Sequence, residues 1–187
     1  NWQIGFDPNG KILAWDIELI CNGGAYTDLS IAILERAMFH AENIYNIPDV
    51  RIRGRACRTN LPPNTAFRGF GGPQGIYVIE TAMQQIAEQL QIDPLQIRQI
   101  NAYQNGDIAP YGQTIKESNA AQLLQRVADK AHYRKLQNSI AEFNQSQSRM
   151  LRGLGIMPVK FGISFTTAFL NQGSALIWIY IDGSVSV

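Results

Sequence analysis

Three features of the sequence predict an α+β fold: apolar and polar residues alternate near both ends, apolar residues recur at helical spacing through the middle, and the 187 residues are 45% hydrophobic and 17% charged. That length and composition suit one globular core, or a portion of a larger one, with no bias toward disorder. Residues 1–58 are expected to be strand-rich, residues 59–148 to hold a loop and helices, and residues 151–187 to return to strands. The chain opens without a methionine, and residues 2–6 and 183–187 both lie in strand-like patterns, which predicts a piece of a longer chain.

Each element has a local reason. Asp7-Pro8-Asn9-Gly10 carries turn chemistry between two alternating runs, 2–6 and 12–20, and predicts an N-terminal hairpin. Asn22-Gly23-Gly24 is expected to end the second strand. Asp28 is an expected N-cap for a helix over 29–39 that is apolar on every side, hence well buried, and that carries Arg36. Ile47-Pro48-Asp49 breaks the pattern, and residues 50–57 predict a strand with Arg51, Arg53 and Arg55 at alternate positions. Leu61-Pro62-Pro63-Asn64 suits neither helix nor central strand and opens a loop reaching Gln74. Pro73 suits the first turn of the next helix, where Ile76, Ile79, Met83, Ile86 and Leu90 recur at helical spacing. Asp93-Pro94 predicts a capped helix through Ile100, and residues 117–146 predict two more with a break near Ala131. Alternation returns over 154–169 and 175–180, with Asp182-Gly183 as a hairpin turn before a last strand.

Charge and cysteine content exclude several classes. A net charge of +1 gives no field to gather nucleic acid or to hold an anionic membrane, so neither partner is expected. Cys21 and Cys57 are too few and too far apart for a zinc or iron–sulfur motif or a disulfide framework, and read as reduced thiols of a cytoplasmic protein. No stretch is long enough to span a membrane, and residues 1–4 lack the features of a signal peptide, so a soluble protein is expected. His40 and His132 have no Cys, His and carboxylates around them at ligand spacing, so no protein metal ligand is expected.

The loop Phe67-Arg68-Gly69-Phe70-Gly71-Gly72-Pro73-Gln74 is dense in glycine and precedes a helix start, where free N–H groups favour an anion. It lacks the Lys-Ser/Thr of a P-loop and the dinucleotide glycine spacing, so a ligand site and a structural turn both remain open on these residues alone.

Read with Thr59-Asn60-Leu61-Pro62-Pro63-Asn64-Thr65-Ala66, the loop resembles the signature loop of the molybdenum hydroxylases, the family of xanthine dehydrogenases and aldehyde oxidases. Glu35-Arg36-Ala37-Met38-Phe39-His40, Asn22-Gly23-Gly24-Ala25, Lys160-Phe161-Gly162-Ile163-Ser164-Phe165-Thr166 and Phe169-Leu170-Asn171-Gln172-Gly173 agree with the family in order and approximate spacing. The resemblance runs over essentially the whole chain and implies a part of the large, molybdopterin-binding domain. It implies that the molybdenum–molybdopterin cofactor meets the loop at Phe67 and Arg68, at Arg68 chiefly through main-chain N–H, with Gly69, Gly71 and Gly72 making room for that approach.

The same resemblance implies that Phe70 lies parallel to a flat substrate and Phe165 meets it edge-on, with the Thr166 hydroxyl at the substrate's edge. Arg36 matches the arginine that contacts the carbonyl edge of the purine in xanthine-oxidising members. Attack on the ring carbon pushes negative charge into the heterocycle, which a guanidinium can stabilise and an aldehyde does not generate. The implied activity is hydroxylation of hypoxanthine and xanthine to urate with oxygen from water, the electrons leaving through 2Fe-2S clusters and FAD toward NAD in other domains or subunits. An oligomeric parent is expected. The family's glutamate base would lie beyond Val187, so no catalytic residue is expected here, none of Glu18, Glu35, Glu80, Glu88, Glu117 and Glu142 is read as that base, and the chain alone should be inactive. An aldehyde oxidase or other heterocycle hydroxylase, and a non-catalytic binding or structural domain, are the alternatives.

Overall fold

The computed structural model describes residues 1–146 and 149–187. Strands β1 (Trp2–Phe6) and β2 (Ile12–Gly24) form the expected hairpin, antiparallel, with Trp2 opposite Ile17 and Gly5 opposite Ala14. Asp7 holds the turn by accepting from the N–H groups of Asn9 and Lys11, each at 2.9 Å. Helix α1 (Ser30–Phe39) carries the chain over to strand β3 (Asp49–Arg58), which lies parallel to β2 in a sheet ordered β1-β2-β3. A parallel neighbour requires such a crossover, whereas alternation along one strand does not say which way its neighbour runs.

Helices α2 (Gly72–Leu90), α3 (Pro94–Asn101), α4 (Ala120–Lys130) and α5 (Tyr133–Ser146) complete the mixed α+β architecture. Ile79, Met83 and Ile86 of α2 pack with Ile12, Trp15 and Ile17 of β2 and with Tyr45 and Ile97 in one core. Asp93 caps α3 as expected, its carboxylate accepting from Leu95 N at 2.8 Å. Asn101 ties the end of α3 to the hairpin: Oδ1 accepts from Ile12 N and Nδ2 donates to Gly10 O, both at 2.8 Å. The break near Ala131 separates α4 from α5, and residues 147 and 148, the end of the expected helical stretch, lie outside the described residues.

Strand β2 ends at Gly24, within the expected Asn22-Gly23-Gly24 stop, with β3 beside it to the end: Cys57 lies opposite Asn22 and Arg58 opposite Gly24. Three expectations differ from what is observed. Asp28 is not the N-cap: it sits at φ 41°, and α1 starts after Leu29 with no side-chain cap. Helix α1 is not buried all round, since Ile31 and Phe39 are exposed. An apolar side chain is buried only where something covers it, and the described residues leave that face open.

The third difference concerns residues 154–169, where alternation gives no strand. The C-terminal hairpin does form around Asp182-Gly183, but only as β4 (Trp178–Ile179) against β5 (Val185–Ser186), preceded by a 3-10 turn at Ala168–Leu170. On the outer face of the sheet, Arg51 and Arg53 meet Asp16 and Arg55 meets Glu18, so the basic alternation is a solvated strand face. Both cysteines are free.

Candidate functional site

The loop before α2 is a run of left-handed backbone: Gly69 at φ 91°, Phe70 at 51° and Gly71 at 100°. Such a conformation is costly for a bulky residue, so Phe70 is held there by its surroundings. Phe70 N donates to Phe67 O at 2.8 Å and Gly72 N to Gly69 O at 3.0 Å, closing two consecutive turns. The glycines make room for the chain's own packing. A Cβ at Gly71 would lie 2.0 Å from the Ile33 carbonyl oxygen, and one at Gly75 would lie 2.1 Å from that of Ala37, so α2 can start against the backbone of α1 only with glycine at both. A Cβ at Gly72 would lie 2.6 Å from the Phe161 ring, and one at Gly69 would lie 2.5 Å from Pro73.

Residues 158–164 run past α1 in an extended form, and side chains take the place of a neighbouring strand. Asn43 donates from Nδ2 to Pro158 O and accepts at Oδ1 from Lys160 N, both at 2.9 Å, as a strand's peptide group would. His40 Nε2 accepts from Gly162 N at 3.1 Å. The two terminal nitrogens of Arg36 donate to the carbonyl oxygens of Gly162 and Ser164. Arg36, His40 and Asn43 recur three to four residues apart, one turn of helix each, on the side of α1 and its following turn that meets this segment. This explains how an alternating sequence stays extended without entering a sheet.

The ties deliver Phe165 to Phe70. Their ring centroids are 5.5 Å apart with the planes at 56°, both side chains are half-buried, and each is within range of a favourable aromatic contact. They form a corner: a flat ring could lie on one face of Phe70 and meet Phe165 at its edge without separating the pair. Asn171 fixes the backbone of Phe165 from the other side, accepting from its N–H at 2.8 Å and donating to its carbonyl at 2.6 Å. Thr166 donates its hydroxyl proton to Ala32 O at 3.1 Å, which leaves oxygen lone pairs to accept from a ligand. Arg36, Phe165 and Thr166 line a common cleft of about 1280 Å³.

Arg36 is placed differently from a free anchor. It is 5% exposed, its terminal donors serve backbone carbonyls, its Nε has no partner among the described residues, and its guanidinium carbon lies 5.1 Å from the Phe161 ring centroid. Among the described residues no carboxylate forms an ion pair with it; Glu42, close by in sequence, pairs with Lys160. A desolvated cation one residue from Phe165 therefore sets the local field. Glu80 accepts from Asn43, Tyr45 and Arg98, a buried structural junction with its oxygens taken. His40, Asn43 and Asn171 are the site residues that residue patterns do not reveal. Their only sequence signal is position, at helical spacing from Arg36 or six residues after Phe165, because each acts on the backbone of a distant segment.

Phe67 and Arg68 are exposed at the outer end of the loop, where Arg68 offers a guanidinium and its main chain to an anion. Among the described residues no protein acceptor meets the N–H groups of Arg68, Gly69 or Gly71. This donor set fits a phosphorylated, hydrogen-bonding cofactor. No group of three or more His, Cys, Asp or Glu among the described residues could hold a metal ion.

Comparison with known proteins agrees with that donor set. A family model described as a molybdopterin cofactor-binding domain matches residues 1–102, and a second of the same description matches residues 126–187. Xanthine dehydrogenase 1 of Arabidopsis thaliana is 46% identical over 186 residues, and aldehyde oxidase 3 of Mus musculus 42% identical over 186; each match covers 100% of this chain and 14% of the relative. The chain thus spans about 14% of the length of these relatives. Among solved structures, the aldehyde oxidoreductase of Desulfovibrio gigas superposes with a TM-score of 0.67 at 30% identity, over 78% of this chain and 15% of that one. With one model covering more than half of the residues and the glycine-rich loop inside it, the chain belongs to the molybdopterin cofactor-binding domain family.

Proposed function

We propose that the chain is part of the molybdenum-binding region of a xanthine dehydrogenase-like hydroxylase that converts hypoxanthine and xanthine to urate with oxygen from water. The observation that carries this reading is the corner between Phe70 and Phe165, beside the buried, uncompensated charge of Arg36. Phe70 offers a face and Phe165 an edge to a planar heterocycle, and Thr166 an acceptor at its rim. Arg36 holds Phe165 through Ser164 and stabilises negative charge that spreads over the ring as it is attacked. The N–H groups of Arg68, Gly69 and Gly71 would hold the cofactor, with Phe67 and Gly72 flanking it and the Arg68 guanidinium available to its phosphate. When bound, the molybdenum cofactor supplies oxygen transfer and takes up two electrons. The parent would be an oligomeric, cytoplasmic enzyme of purine catabolism whose other domains or subunits would carry 2Fe-2S clusters, FAD and NAD as electron acceptors, and its general base would lie outside this chain.

A second reading is an aldehyde oxidase or another heterocycle hydroxylase. It is favoured by the engagement of both terminal nitrogens of Arg36 with backbone carbonyls, which leaves them unavailable for a purine oxygen. Turnover of xanthine and of an aromatic aldehyde by the full-length enzyme and by Arg36→Met separates the two. The first reading expects xanthine turnover to fall about two to three orders of magnitude, the range for losing one charge-stabilising group, with aldehyde turnover retained. An equal fall for both substrates makes Arg36 a holder of Phe165 and sinks the purine assignment. In the same assay the isolated 187-residue chain is expected to turn over neither substrate.

A further inference from the structure

His40 carries more than packing. Its ring is 3% exposed and makes two hydrogen bonds of opposite sense. Nδ1 lies 2.7 Å from the carbonyl oxygen of Arg36, which can only accept, and Nε2 lies 3.1 Å from the backbone nitrogen of Gly162, which can only donate. One protonation state satisfies both: the neutral imidazole with its proton on Nδ1. A second proton, on Nε2, would set a donor against a donor and break the tie to Gly162.

Gly162 is three residues before Phe165, and the neighbouring contacts make the tie mechanical. The Phe161 ring lies against His40 with centroids 4.9 Å apart, and it fills the space that a side chain at Gly72 would occupy. Residue 161 is thus wedged between the His40 ring and the end of the loop that presents Phe70. We propose that His40 is the positioning residue of the aromatic corner: as neutral imidazole it holds residues 160–166 on α1 and Phe165 against Phe70, and on protonation it loosens them. The part that concerns a ligand rests on the reading of Phe70 and Phe165 as a ring-binding corner; the tie itself does not.

The charged groups packed around the ring are Arg36 on α1 and Lys160 on the extended segment, the latter paired with Glu42 from the turn after α1. Helix α2 approaches the ring at Gly72. Burial, the largest influence, pushes the imidazole below the ordinary histidine range; the bond to the Arg36 carbonyl opposes this, and the charges of Arg36 and Lys160 reinforce it. A histidine depressed in the folded state is held neutral there. The tie is therefore complete above the ordinary value of about 6.5 and is lost as pH falls toward and through the lower, folded value.

Hydrogen exchange of the full-length protein tests this at amides 160–166, compared at about pH 7.5 and at a pH well below the ordinary histidine range, at the lower limit where the fold persists, after correction for intrinsic rates. Three proteins are compared: wild type, His40→Gln and His40→Phe. Glutamine can put a non-titrating carbonyl oxygen near the place of Nε2, whereas phenylalanine keeps a ring that accepts nothing. Wild type is expected to lose about tenfold protection at the lower pH, the scale of one hydrogen bond, while Arg36 retains the segment loosely. The glutamine variant should keep its protection at both pH values, and the phenylalanine variant should lack it at both. Low-pH loss as large in His40→Gln as in wild type, or full protection in His40→Phe at the higher pH, overturns the proposal. Because exchange is read without a ligand, a failure of Phe70→Ala to alter binding of an aromatic heterocycle would retire the functional reading and leave the His40 result standing.

Discussion

The sheet and helices of residues 1–146 and the extended residues 151–187 solve the same problem in opposite ways. In the first region the backbone is satisfied by ladders and helices around a shared apolar core. In the second, residues 158–164 are tied by side chains reaching across from α1 and its turn, while Ile163, Phe169, Ile179 and Ile181 stand exposed. A core is cooperative and resists local change; a segment held by individual polar ties can move without unfolding what holds it. The candidate site lies where the two meet, with Phe70 on the first and Phe165 on the second. One half of the corner is rigid, and the other is adjustable.

The sharpest way to break this contrast is to attack each region separately. Trp15 is 1% exposed at the centre of the core, so Trp15→Ala should cost about 3–5 kcal/mol by urea unfolding, and protection should be lost throughout residues 1–146 together. Its Nε1 has no partner among the described residues, which places the cost toward the lower part of that range. Unfolding confined to residues 151–187 in this variant would contradict a single core.

Asn43→Ala comes next. It removes the donor to Pro158 O, the acceptor for Lys160 N and a donor to Glu80, and it puts alanine at φ 50°, where asparagine is better tolerated. We expect a loss of about 2 kcal/mol, with faster amide exchange concentrated at residues 158–164. Equal acceleration in β2 would mean that the segment is part of the core after all.

How far the sequence foretold this structure follows the same division. Elements whose partners are local were legible: the Asp7–Gly10 turn, the Asp93 cap, the apolar spacing along α2 and the break at Ala131. Those whose partners are distant were not. The alternation of 154–169 reads as a strand because period two reports an extended chain and is silent on whether its neighbour is a strand or the side chains of Arg36, His40 and Asn43. At the site, the family resemblance sets Phe70 and Phe165 about one ligand and the structure places their ring centroids 5.5 Å apart, while the engagement of Arg36 with two carbonyls was invisible to any local pattern.

The smallest effect separates position from stability. The side chain of Asn171 holds the backbone of Phe165 through two hydrogen bonds in an exposed setting, so Asn171→Ala should cost no more than about 1 kcal/mol and leave the unfolding midpoint nearly unchanged. Its consequence belongs to the corner: with Phe165 less constrained, an aromatic heterocycle must order the ring as it binds. In the full-length enzyme KM should rise severalfold, with kcat for bound substrate changing less, because the variant removes a preorganising contact and no group that meets developing charge. A fall in kcat at constant KM would mean instead that Asn171 acts on the reacting ligand, which neither of its hydrogen bonds lets it do from its present place. The adjustable half of the corner would then have to move during turnover, and the division between a rigid Phe70 and a tethered Phe165 would describe only the resting protein.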